Sequence, residues 1–146
     1  MHFSSVATAS LLALLSTASA RITGLSAPST IAAGRYFTIS LLTDSANHSV
    51  YDVAAAIGVA PGAGAPGSLG TPLGTYFVGP SLSNTLAPLP FTMSMAPNIT
   101  LGPVTLTATV FSLHGAAASP QLDTFTLQVT VGNSTSVDLV QSVNVK

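Results

Sequence analysis

No cysteine occurs in these 146 residues, and that absence sets the terms on which the chain can fold. Small secreted domains bury a modest share of their surface and usually make up the deficit with disulfides. This chain can hold itself together only by apolar packing. Its composition suits that: 47% is hydrophobic and only 5% is charged, against about a quarter charged in an ordinary domain. The polar surface must therefore be built from Ser, Thr, Asn and Gly.

The apolar residues recur with period two. Phe37, Ile39 and Leu41 alternate with Thr38 and Ser40, and Leu89, Phe91, Met93 and Met95 repeat the pattern. Leu106, Ala108 and Val110 interleave with Thr105, Thr107 and Thr109, and Phe125, Leu127, Val129 and Val131 with Thr126, Gln128 and Thr130. Such alternation predicts half-buried strands, here over 21–27, 35–43, 49–60, 75–78, 89–95, 104–113, 124–131 and 136–145, with no helix. Within 49–60, Val53, Ala55, Ile57 and Val59 are expected on one face. Asp52, Ala54, Ala56 and Gly58 fall on the other, where small side chains let another segment pack closely. The Gly- and Pro-rich stretch 61–74 forbids regular structure, yet Leu69 and Leu73 give it apolar anchors. Together these features predict an all-β, immunoglobulin-like antiparallel β-sandwich of about seven or eight strands. It carries no disulfide and forms a single domain over residues 21–146.

Residues 1–20 read as a secretory signal peptide. Leu11, Leu12, Leu14 and Leu15 form an apolar centre too short to span a bilayer, and Ala18-Ser19-Ala20 supplies the small-residue cleavage pattern. Cleavage is expected between Ala20 and Arg21. No later apolar stretch is long enough for a membrane anchor. The product is expected to be secreted and monomeric. Asn47-His48-Ser49, Asn98-Ile99-Thr100 and Asn133-Ser134-Thr135 are glycosylation sequons; Asn47, Asn98 and Asn133 are expected to lie in exposed turns.

The groups that perform chemistry are scarce. Beyond the leader the histidines are His48 and His114, no Gly-x-Ser-x-Gly elbow occurs, and each histidine reads as a solvated turn residue. Asp44 and Asp52 flank one loop and could approach as a carboxylate pair, although strand-edge roles suit them better. Neither a zinc ligand set nor a phosphate loop is present, and no basic patch exists for nucleic acid. No catalytic residue, metal or other cofactor is expected. With so few titratable groups, stability is expected to vary little between mildly acidic and neutral pH. Recognition through a surface or strand edge remains, with Leu69, Leu73, Tyr76 and Phe77 as the candidate partner-binding residues.

Several stretches carry a resemblance: Ala20-Arg21-Ile22, GSLGTPLGTYFVGPSLSN (67–84), GPVTLTATVFSLHGAAASP (102–120) and FTLQVTVGNSTS (125–136). The chain resembles the fungal necrosis-inducing secreted protein family, core effectors of plant-associated fungi. The Leu-Gly-x-x-Leu-Gly loop leading into an aromatic strand is its most specific element. The resemblance implies an effector that suppresses pattern-triggered plant immunity by binding and impairing host receptor-associated kinases. These are a co-receptor kinase and a receptor-like cytoplasmic kinase; cell death follows in some plants. It implies translocation into the host cell and supplies no catalytic residue. A fold without cysteine suits such a passage, since a reducing compartment has no disulfide to break. The alternative is an extracellular cell-wall or carbohydrate-binding module, which the absence of Trp weakens.

Overall fold

Two sheets form where the alternating residues demand them. The computed structural model describes residues 19–142, so the expected leader lies outside the described residues except for Ser19 and Ala20. In chain order the elements are β1 (Ser19–Pro28), β2 (Thr30–Ala32), β3 (Tyr36–Ala46), β4 (Val50–Pro61), β5 (Thr71–Phe77), α1 (Gly79–Leu82), β6 (Leu89–Ser94), β7 (Gly102–His114), β8 (Ser119–Gly132) and β9 (Leu139–Gln141). One sheet has the order β6-β3-β1-β9, the other β2-β8-β7-β4-β5. The all-β sandwich expected from the alternation is the fold that forms. Two three-residue strands, β2 and β9, bring the number among the described residues to nine.

The core lies between the sheets. Leu25, Ile39 and Leu41 from the first sheet meet Ile57, Leu106, Val110 and Val131 from the second, all inaccessible or nearly so. Each such side chain is worth about 1.5–3 kcal/mol of transfer free energy. On β7 the even-numbered residues Val104 to Ser112 point inward, so the threonines face out as their spacing predicts.

Three features depart from the sequence reading. First, Thr30 to Ala32 is not a turn. The chain crosses between sheets at Pro28-Ser29, and β2 then pairs with β8 in parallel, the one non-antiparallel ladder among the described residues. Second, β4 carries a bulge between Asp52 and Ala54. An inserted residue reverses the facing of everything before it. Asp52 therefore points inward opposite Ser112, not outward with Ala54 and Ala56. Third, the irregular stretch ends earlier than expected. Strand β5 begins at Thr71, and a four-residue helix at Gly79–Leu82 follows it.

Candidate functional site

Segment 62–70 does not hang free. It folds back across the outer face of the five-stranded sheet. The Thr105 hydroxyl donates to the carbonyl oxygen of Gly62 at 2.6 Å, and the Gly62 N–H donates to the carbonyl oxygen of Pro103 at 2.9 Å. Thr105 and Thr107, outward on β7, are buried as a result. The turn also needs glycine on β4: a Cβ at Gly58 would overlap the Leu69 carbonyl and lie 2.7 Å from Leu69 Cγ. The small residue expected to admit a close neighbour does so, and the neighbour is Leu69.

The four candidate contact residues divide. Leu69 is half-buried against β4. Leu73 and Tyr76 pack against the core. The Tyr76 ring lies 4.3 Å from that of Phe91, and its hydroxyl donates to the Thr92 carbonyl at 3.4 Å, so the edge strands of the two sheets meet there. Phe77 alone projects, 70% exposed.

Phe77 is not isolated on that face. The register places it opposite Ala54, Ala54 opposite Phe111, and Phe111 opposite Leu122. Leu122 is 68% exposed. The row crosses four strands and borders a shallow cleft of ≈ 530 Å³, floored by Ala54 and Ala56 and flanked by Phe77, Phe111 and Leu122. The folded-back loop covers one half of the outer sheet face and leaves this half bare. Sequence reasoning missed Phe111 and Leu122, but a signal existed. Phe111 shares the parity of Thr105, Thr107 and Thr109, and Leu122 that of Thr124, Thr126 and Gln128, so each is an apolar residue on a polar face.

The titratable groups sit elsewhere. Asp44 and Asp52 lie in different sheets. Asp44 is exposed and accepts from the Ser45 N–H, whereas buried Asp52 accepts a 2.6 Å bond from the Ser112 hydroxyl. Burial holds the Asp52 carboxyl above the usual carboxylate range. Its bonds from Ser112 and the Ile22 backbone, and the nearby His114, offset part of that rise. His48 Nδ1 is 2.7 Å from Asn47 Oδ1, and its Nε2 is 3.0 Å from His114 Nδ1. An amide oxygen can only accept, so in the neutral pair Nδ1 of His48 holds the proton and His114 Nδ1–H donates to His48. Among the described residues no group of three or more His, Cys, Asp or Glu side chains converges as a metal site would need. Asn47, Asn98 and Asn133 are all exposed, in a bend, a turn and a bend.

Comparison with known proteins gives one consistent result. The Nis1 family model matches residues 18–130. "Necrosis-inducing secreted protein 1" of Colletotrichum orbiculare is 39% identical over 130 residues, covering 88% of this chain and 80% of that protein. The protein of the same name from Colletotrichum higginsianum is also 39% identical over 130 residues, covering 88% of this chain and 90% of that protein.

Proposed function

We propose that this chain, which belongs to the Nis1 family, is a secreted necrosis-inducing effector that binds host receptor-associated kinases and so suppresses pattern-triggered plant immunity. The names of its two relatives support secretion and necrosis induction. Kinase binding and entry into the plant cell rest on the family resemblance of the sequence. The observation that carries a binding role is the row Phe77–Ala54–Phe111–Leu122, an apolar band on the outer face of a protein whose polar surface is otherwise hydroxyl-rich. Large exposed apolar patches mark protein contacts, and aromatic residues dominate their energetics. In this reading Leu69, Leu73 and Tyr76 hold the segment in place, and Phe77 makes the contact.

The test is retention of the purified protein by immobilised kinase domains of plant co-receptor and receptor-like cytoplasmic kinases. Phe77→Ser and Leu122→Ser change exposed side chains and leave the core intact. Binding by the unchanged protein, lost in the double variant, is the expected result. Undiminished binding by the double variant removes this face from the reading, and no binding by the unchanged protein removes the kinases. A second reading, a carbohydrate-binding module, has its own feature. The space beneath the folded-back loop, ≈ 320 Å³, is lined by Ser68, Thr105, Thr107, Thr124 and Thr126. Retention on chitin, cellulose or glucan would favour it.

A further inference from the structure

Strand β1 includes both Ser19 and Ala20, the two residues that precede the expected cleavage point. Ser19 pairs with Ala46 and Ala20 with Ser45 at the start of the β1–β3 ladder. Ala20 is 1% exposed, as deeply buried as the central core residues. Its N–H donates to Asn84 Oδ1 at 2.7 Å, joining positions 64 residues apart. Asn84 itself sits at φ +58°, a conformation that Asn tolerates better than most residues but that still needs support from its surroundings. The residue before it, Ser83, accepts from the Asp52 N–H at 2.9 Å. The segment after α1 is thus held at two points, by Ser83 on β4 and by Asn84 on β1.

Cutting between Ala20 and Arg21 would remove one of those points. Asn84 Oδ1 would lose its donor, Ser45 and Ala46 their ladder partners, and a charged α-ammonium would replace the amide at Arg21. The cleft of ≈ 480 Å³ that Ser19 lines, beside Asn47, His48 and Asn84, would lose a wall. The sequence offers a second small-x-small site two residues upstream, Ser16-Thr17-Ala18. The Nis1 family model matches from residue 18. We propose that signal peptidase cuts between Ala18 and Ser19, so that the mature chain keeps Ser19 and Ala20 as the first residues of β1. The peptidase meets an unfolded chain, so the fold does not direct the cut; it records which residues the mature protein is built from. The proposal rests on the secretion reading above.

Secretion of the full chain from a yeast or filamentous fungal host, followed by N-terminal peptide mass spectrometry, tests it. A Ser19 terminus is expected. An Arg21 terminus overturns this proposal and leaves secretion standing, whereas a chain that retains Met1 or stays in the cell overturns both. A second measurement compares chains made to begin at Ser19 and at Arg21. The longer form is expected to melt higher by about 3–8 °C, the scale of one lost buried hydrogen bond and its packing in a domain of this size. Asn84→Gly, which removes the acceptor and keeps φ +58° accessible, should lower the melting temperature of the longer form more than that of the shorter one. Equal melting temperatures for the two forms would overturn the structural role of Ala20.

Discussion

Gly58→Ala isolates the contact that fastens the loop to the sheet. A Cβ at this position would overlap the Leu69 carbonyl, lie 2.7 Å from Leu69 Cγ and 3.0 Å from the Thr71 carbonyl. Carbon atoms rest about 3.5–4.0 Å apart, so Leu69 must retreat by roughly 1 Å. Two of the three obstacles are backbone carbonyls, which cannot rotate away as the end of a side chain can. Overpacking of this kind costs about 1–3 kcal/mol. Alanine recovers about 0.4–1 kcal/mol by stiffening the unfolded chain. The net loss is about 1–2 kcal/mol, which lowers the melting temperature by about 4–8 °C for a domain of this length. Thermal unfolding followed by circular dichroism measures the loss, and amide exchange should accelerate across 62–70 before the rest of the sheet. Gly67→Ala is the companion variant. Nothing lies within 4 Å of its added Cβ, and the cost is that of φ +72° alone. A Gly58→Ala protein that melts within about 1 °C of the parent, with unchanged exchange in the loop, would refute the Leu69–Gly58 contact.

Asp52 has a folded pKa above its unfolded value, so the native state holds its proton where the unfolded chain has lost it. Stability from this group is fully present below the ordinary carboxylate range and falls as pH rises through the folded pKa; in place of the nearly flat profile expected from composition, melting temperature should rise on mild acidification, and Asp52→Asn should flatten the profile. Tyr76→Ala is expected to cost about 2–4 kcal/mol in urea unfolding, because it removes the Phe91 stack and a side chain packed on the core. Phe77→Ser, from the neighbouring but exposed position, should cost less than about 0.5 kcal/mol in the same assay. Digestion with an N-glycosidase should lower the mass of the secreted protein, since Asn47, Asn98 and Asn133 are all accessible; an unchanged mass would show that none is occupied.

Alternation made the long strands legible. The parity of Phe37, Ile39 and Leu41, or of Val104 to Ser112, is a local property that survives into the fold because each strand has one buried face. What escaped is non-local. The bulge before Ala54 depends on how β4 registers with β7, and no residue at 52–54 announces it. Strand β2 exists only because β8 runs beside it, and three residues carry too little pattern to be seen alone. The candidate contacts were partly legible for the same reason. Tyr76 and Phe77 are adjacent aromatics, and only the facing of β5 decides that one enters the interior while the other meets solvent. Gly58 was readable as a place of close approach, but its neighbour was not.

The position of β1 governs when the molecule can fold. The first strand lies between β3 and β9, and β2, two residues after it, completes its ladder on β8. The earliest part of the chain to be made is therefore finished by the last. The five-stranded sheet waits for β8 and the four-stranded sheet for Leu139–Gln141, and folds dominated by such distant pairings assemble slowly. Until then the edge of β1 at Ser26–Pro28 stays unpaired, although all three sequons have already been made. Enzymes that attach glycans, and chaperones that shield bare strand edges, can meet it in that condition.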